Sequence, residues 1–209
     1  DEGQFDGYLK RYGTFAGTGI TSFRMPSNLQ YIAPETFRNC EQLKTFYIGK
    51  AFRGKINYGE EGDPDTLFLY YAPIRLIQID KENTSYQLQN EILYTRDGHI
   101  LCQALKNDNA DSQLTIPSCV TEIADGAFYR NSEFGAIEVK GSLERIGISA
   151  FACADVGSFY VKGGVNYLDR GSFYQSAISE WRCHGGVKKY EKSAFQDVDA
   201  TNRYAIDMN

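Results

Sequence analysis

The residues able to do chemistry are few and scattered. His99 and His184 stand far apart, and neither has a second histidine or a His-Glu-x-x-His spacing beside it, so a zinc site is not expected. The segment Gly59-Glu60-Glu61-Gly62-Asp63-Pro64-Asp65 interleaves carboxylates with glycine, which invites calcium, but it lacks the Asp-x-Asp-x-Asp-Gly spacing and terminal Glu of an EF-hand. It reads as an exposed, solvated loop. Glu60 and Glu61 are a carboxylate pair of the kind used in acid-base work, yet no apolar pocket is evident to raise a pKa. No nucleophile elbow, phosphate-binding loop or dinucleotide fingerprint is present. Gly163-Gly164 and Gly185-Gly186 recur at 22 residues and read as corners where only glycine tolerates the turn. Cys40, Cys102, Cys119, Cys153 and Cys183 are odd in number with no Cys-x-x-Cys pair. They are expected to be thiols acting as small hydrophobes, with a Cys102 to Cys119 bridge left open. The sequence therefore predicts no enzyme, no metal and no cofactor.

What remains is recognition by a surface, and that depends on the elements that hold it. From Leu114 to Ala194 one pattern recurs. The pairs Ala127-Phe128, Ala150-Phe151, Ser172-Phe173 and Ala194-Phe195 are spaced by 23, 22 and 22 residues. Eight residues before each Phe stand Val120, Leu143, Val165 and Val187, and five before it stand Ile123, Ile146, Leu168 and Tyr190. Downstream come Phe134, Val156, Ile178 and Ala200, and then the alternating pairs Ile137 with Val139, Phe159 with Val161, and Trp181 with Cys183. A fixed period of this length marks a solenoid whose units cannot bury their apolar faces alone. The alternating pairs read as strands with one buried face. Stacked in parallel at roughly 4.8 Å, they would bring the phenylalanines into a continuous spine, with a small residue before each ring to make room.

The unit running from Leu114 to Val139 resembles the BspA-type leucine-rich repeat. Ile116, Pro117, Val120, Ile123, Ala127, Phe128, Asn131, Phe134, Ile137 and Val139 carry the match. The resemblance implies a mostly β, right-handed leucine-rich-repeat solenoid with parallel stacked strands and short helical turns. It also implies an extracellular or cell-surface protein with an adhesive role toward a protein or glycan partner, including a host-derived one.

Two further units precede this region. Thr14-Phe15 leads the first, and Met25 through Thr36-Phe37 to Phe46 and Ile48 forms the second, 91 residues ahead of its counterpart. After Ile48 the register slips, and counting back from Ile77-Gln78-Ile79 puts the leucine position at Ile74 and the spine at Phe68. A second interruption holds Ile92 to Arg96 and His99 to Gln103 around Asp97-Gly98, which predicts a projecting β-hairpin. Family members carry a similar segment, seen here in Asn83, Tyr86, Leu93-Tyr94, Asp97-Gly98 and Leu101, with Glu91 where glycine is usual. The reading is a single solenoid over 1–209: an N-terminal cap at 1–12, repeats over 13–49, a loop insertion at 50–66, a repeat over 67–79, a hairpin-bearing insertion at 80–113, and regular 22–23-residue repeats over 114–209.

The net charge of -5 and pI near 5.1 argue against nucleic acid and anionic membrane surfaces, which call for basic patches. The longest apolar runs fall far short of the roughly 20 residues a membrane-spanning helix needs, so no membrane insertion is expected. The first residues, Asp1-Glu2-Gly3-Gln4, lack the regions of a signal peptide, which suggests prior removal or a start within a longer protein. In the strands, the residue between the two inward positions faces solvent and stacks on its homologue: Arg24, Tyr47, Gln78, Thr115, Glu138, Tyr160, Arg182. Beside it runs the locally basic ladder Lys140, Lys162, His184. Tyrosine and arginine often anchor interfaces, so Tyr47, Glu138, Lys140, Tyr160, Lys162, Arg182 and His184 are the candidate partner-binding residues. The competing readings are a solvated face in which Glu138 pairs with Arg182 across Tyr160, and a spacer that displays a neighbouring domain. At the C-terminus either Tyr204 and Ile206 are the inward pair of a 23-residue coil, the preferred reading, or Arg203 covers the core with its aliphatic stem, and the open face is expected to be covered by further sequence, by a second copy packed end to end or by another domain.

Overall fold

The small-Phe pairs stack as their spacing requires. Phe128, Phe151, Phe173 and Phe195 form a column with centroid steps of 4.6, 5.0 and 5.2 Å and interplanar angles below 10°. Ala127, Ala150, Ser172 and Ala194 are fully buried, and the carbonyls of three of them accept the Phe N–H of the preceding coil: Phe128 to Ala150 at 2.7 Å, Phe151 to Ser172 at 2.7 Å and Phe173 to Ala194 at 2.8 Å. A larger residue there would separate the coils and break these bonds. The computed structural model describes residues 13–59, 66–69, 71–105, 112–131, 134–198 and 206–207. The expected cap at 1–12, most of the acidic loop and residues 199–205 lie outside them.

The chain divides into two compact units, 1–86 and 87–209. The first contains β1 (Ser22–Arg24), β2 (Thr45–Ile48), β3 (Lys55–Ile56), β4 (Thr66–Leu67) and β5 (Leu76–Ile79), and β6 (Tyr86–Gln89) begins at its last residue. Strands β1, β2 and β5 form a parallel sheet that aligns Phe23 with Phe46 and Ile77, and Arg24 with Tyr47 and Gln78. Phe15 stacks on Phe37 at 5.7 Å, and Phe37 meets Phe46 edge-on. The stretch 50–66 is more than a loop, because Phe52 and Ile56 are fully buried and β3 pairs in parallel with β4. Phe68, expected on the spine, is half-buried and its ring meets Tyr71 at 6.2 Å. Asn83 and Tyr86 close the end of this unit. Asn83 Nδ2 donates to the Gly49 carbonyl at 2.8 Å while its Oδ1 accepts from the Ser85 and Tyr86 N–H groups, and the Tyr86 hydroxyl donates to the Gly54 carbonyl.

In the second unit each coil contributes one strand to each of two parallel stacks. One sheet holds β7 (Ile92–Thr95), β8 (Ile100–Ala104), β10 (Glu122–Ile123), β12 (Leu143–Ile146), β14 (Val165–Leu168) and β16 (Val187–Tyr190), with β6 beside β7. The other holds β9 (Ser112–Ile116), β11 (Phe134–Val139), β13 (Asp155–Val161), β15 (Ala177–Cys183) and β17 (Ile206–Asp207). The hairpin exists but does not project. Strand β8 pairs antiparallel with β7 and parallel with β10, and Leu93, Tyr94, Leu101, Cys102 and Ala104 are buried. The apolar residues on both of its strands draw it into the stack. Its turn is closed from Gly98 N–H to the Thr95 carbonyl at 2.9 Å with Gly98 at φ 76°, so the loop is longer than two residues.

The short helical turns that the resemblance implies are absent, and the described residues contain no helix; the residues around each Phe form turns instead. Bonds from residue i+3 back to i form there, as from Ala127 N–H to Ala124 and from Asn131 N–H to Phe128. Left-handed residues interrupt them on both sides: Glu35, Gly126, Ser149 and Gly171 two before the Phe, and Asn39, Arg130, Cys153, Gln175 and Asp197 two after it. A single left-handed residue ends a helical run. The repeated glycines also have a cause other than the expected one. Of the four, only Gly186 has positive φ among those described, whereas a Cβ on Gly185 would lie 2.6 Å from the Gly164 nitrogen and one on Gly163 2.8 Å from Ser142 Cα. Close approach of neighbouring coils excludes a side chain.

Two expectations near the C-terminus are revised. Tyr190 holds the register position of Ile146 and Leu168 but is not buried: 53% of its surface is exposed on β16, the last strand of its sheet among the described residues. Strand β17 pairs Ile206 with Trp181 and Asp207 with Arg182, so Ile206 takes the first strand position and not the second, while Arg203 and Tyr204 lie outside the described residues.

Candidate functional site

The exposed face of the five-stranded sheet carries the predicted surface. Register places Thr115, Glu138, Tyr160 and Arg182 side by side on β9, β11, β13 and β15. These are the middle residues of strands whose flanking positions, Ile137 with Val139, Phe159 with Val161 and Trp181 with Cys183, are buried. One residue past each strand the second column follows, held by backbone bonds from Lys140 N–H to Ile116, Lys162 N–H to Val139 and His184 N–H to Val161 at 2.9 to 3.0 Å.

The electrostatics differ from the pairing of Glu138 with Arg182 that the competing solvated-face reading contained. Glu138 lies between two lysines, 2.5 Å from Lys140 Nζ and 3.2 Å from Lys162 Nζ. Its hydrogen bond from Lys140, helped by one from Lys162, holds the carboxyl below its ordinary range, and the bond between Lys162 and Glu138 raises the Lys162 pKa. Arg182 pairs with Glu180 on its own strand. The second column is therefore partly neutralised and is not simply basic. Tyr160 and His184 meet edge-on at 5.2 Å, with the phenol oxygen 3.2 Å from Nε2. A shallow groove of about 260 Å³ runs along them, lined by Ser158, Phe159, Tyr160, Glu180, Arg182 and His184.

Tyr47 does not belong to this face. It lies in the first unit on the separate Arg24, Tyr47, Gln78 ladder, so the predicted seven-residue column is two columns in two sheets. The Arg24 guanidinium sits 3.8 Å over its ring, and its hydroxyl donates to Asp80 Oδ2 at 2.8 Å. That bond raises the Tyr47 pKa, while the Glu82 N–H and the Tyr47 hydroxyl lower that of Asp80.

A cluster on the other sheet went unnoticed in the sequence. Arg145 reaches Glu122 at 2.8 Å, Asp125 at 2.5 Å and Asp169 at 3.0 Å. Burial works against its charge, but Asp125 and Glu122 outweigh that and push its pKa up. Burial raises the Asp125 pKa more than Arg145 and the Ile148 N–H lower it. The signal was available, since Glu122, Arg145, Tyr167 and Lys189 follow the 23, 22, 22 spacing of the phenylalanines. The cluster is internally satisfied and holds coils together. Among the described residues no group of three or more His, Cys, Asp or Glu is arranged to hold a metal ion, and all five cysteines are free thiols, with Cys102 buried and Cys119 exposed.

With this geometry the chain can be compared with known proteins. The BspA type leucine rich repeat region matches in six copies over residues 11–58 and 98–202. Among solved structures, the pneumococcal vaccine antigen PcpA is similar with a TM-score of 0.60 at 15% identity, covering 85% of this chain and 59% of that one. A leucine-rich repeat protein from Eubacterium ventriosum aligns with a TM-score of 0.46 at 17% identity, covering 90% of this chain and 67% of that one. The chain thus spans 59% of the length of the pneumococcal antigen. No curated protein sequence matches it significantly. The repeat pattern covers well over half of the residues, and the chain belongs to the BspA-type leucine-rich-repeat family.

Proposed function

We propose that this protein is a non-enzymatic recognition module that acts outside the cell, as a surface or secreted protein, and binds a protein or glycan partner through the exposed strand face of its second unit. The observation that carries the reading is the side-by-side placement of Tyr160, Arg182 and His184 around an open groove on a rigid parallel sheet. Tyrosine and arginine give large contact area at low entropic cost, and a parallel sheet buried on its other side fixes them before binding. Likeness to a protein described as a vaccine antigen agrees with surface exposure.

A second reading, a spacer that displays a neighbouring domain, is favoured by the Lys140, Glu138, Lys162 triplet, whose charges satisfy one another. Screening the purified protein against extracellular-matrix proteins and glycans separates the two. For a partner so found, the double variant Tyr160→Ala with Arg182→Ala is expected to weaken binding by at least about 2 kcal/mol. Unchanged affinity in a folded double variant removes this face as the site, and no ligand at all favours the spacer. Self-association end to end through the last coil belongs to the same proposal and is read by sedimentation across concentration.

A further inference from the structure

The first unit carries a cavity of its own at the ends of β1, β2 and β5. It measures about 360 Å³ and is lined by Arg24, Met25, Pro26, Ser27, Tyr47 and Asp80, a size within the range of small-molecule clefts, roughly 300 to 1,000 Å³. Backbone bonds fix its walls. Met25 N–H donates to the Tyr47 carbonyl at 3.0 Å, Asp80 N–H to the Ile48 carbonyl at 2.9 Å and Leu29 N–H to the Pro26 carbonyl at 3.1 Å. Gly49 follows β2 at the position that Lys140, Lys162 and His184 hold after the strands of the second unit. A Cβ there would lie 2.9 Å from the Pro26 carbonyl oxygen, so the lip of the cavity packs directly on backbone.

The polar groups of this cavity are positioned and balanced. The Arg24 guanidinium lies 3.8 Å over the Tyr47 ring, the Tyr47 hydroxyl donates to Asp80 Oδ2 at 2.8 Å, and the Glu82 N–H donates to Asp80 Oδ1 at 2.9 Å. Stacking fixes the guanidinium plane, and two bonds fix the carboxylate. Both keep capacity. Arg24 gives none of its five N–H donors to a carboxylate among the described residues, and each Asp80 oxygen has room for a second donor. The lining holds one cation and one anion, Arg24 and Asp80. Lys50 and Lys81 stand near enough to favour the Asp80 charge, and Lys50 is itself paired with Glu82 at 3.5 Å.

We propose that this cavity binds a neutral sugar residue, as a site separate from the groove of the second unit and independent of it. A hydroxyl both donates and accepts, so adjacent sugar hydroxyls satisfy a fixed guanidinium and a fixed carboxylate at once. A charged ligand of either sign would meet repulsion from one of the two. An extended peptide adds to a sheet through unpaired strand backbone, and β2, on which Tyr47 stands, is paired on both sides. A tie between coils would account for the contacts among Arg24, Tyr47 and Asp80, but not for the space beside them.

Saturation-transfer NMR titrations of the whole chain with the methyl glycosides of glucose, galactose, mannose and N-acetylglucosamine test this, with glucuronate as the charged control. At least one neutral glycoside is expected to bind. Asp80→Asn, which puts a donor where an acceptor is needed, should weaken it about tenfold or more. Arg24→Gln should weaken it severalfold and leaves the Tyr47 to Asp80 bond in place, which preserves the test if Asp80→Asn does not fold. Tyr160→Ala with Arg182→Ala should leave the affinity unchanged. Loss of binding in that double variant, with Arg24→Gln and Asp80→Asn unaffected, would overturn this proposal and support the groove of the second unit. No transfer to any neutral glycoside, or tighter binding of glucuronate than of methyl glucoside, would overturn it as well.

Discussion

Replacing Phe151 by Ala tests the architecture most directly. The ring is fully buried, stacked between Phe128 at 4.6 Å and Phe173 at 5.0 Å and meeting Phe159 edge-on at 5.1 Å. Its loss removes transfer free energy and leaves a cavity, together about 3 to 5 kcal/mol. Relaxation will recover little, since the coils on both sides are fixed by backbone bonds from Phe128 N–H to Ala150 and from Phe151 N–H to Ser172. In a solenoid, stability is close to a sum of nearest-neighbour terms, so Phe151 contributes to two coil interfaces. Phe195, half-buried and stacked on Phe173 at 5.2 Å from the end of the column, is described against one neighbouring ring of the spine. Phe195→Ala should therefore cost roughly half as much as Phe151→Ala, about 2 kcal/mol. Tyr160→Ala, on the open face, should stay within about 0.5 kcal/mol. Urea melts followed by circular dichroism would measure all three. The reasoning fails if Phe195→Ala costs as much as Phe151→Ala, or if Tyr160→Ala matches either.

Arg145→Met should destabilise by about 3 kcal/mol, because it leaves the nearly buried Asp125 charge uncompensated. Adding Asp125→Asn should recover part of that loss, and additive effects in the double-mutant cycle would show that the pair does not interact. Glu138 has its pKa lowered in the folded protein, so its contribution is present above the unfolded value near 4.3 and is lost as pH falls through the folded value. Wild type should consequently lose Tm more steeply than Glu138→Gln on acidification below that point, and parallel curves would contradict the pairing. Lys188→Thr with Lys189→Thr should lower the concentration at which larger species appear in sedimentation velocity, since lysines guard an edge strand. An unchanged distribution would mean the β16 edge is protected by something else.

Much of this protein was legible in the sequence because a solenoid repeats its local problem every coil. The 23, 22, 22 spacing of Phe128, Phe151, Phe173 and Phe195 fixed the spine, the strands and the register. With these came the side-by-side placement of Glu138, Tyr160 and Arg182, since stacking at one strand per coil converts a sequence period into a spatial column. What the period could not reveal lies where a side chain chooses among several neighbours or where local geometry departs from pattern. Glu138 took Lys140 and Lys162 in preference to Arg182, because the length and rotamer of each side chain decide the partner. The left-handed backbone at Arg130, Cys153, Gln175 and Asp197 carries no glycine to announce it, so nothing in the residues argued against the short helical turns that the family resemblance implies. The hairpin around Asp97-Gly98 was recognised by its turn, yet its docking into the sheet came from burying Leu93, Tyr94 and Leu101, a gain realised only once β10 lies beside it. Tyr190 shares its position with Leu168 and Ile146 and lies open all the same. Sequence sets which residue could be inward; burial requires a next strand, and β16 is the last strand of its sheet among the described residues.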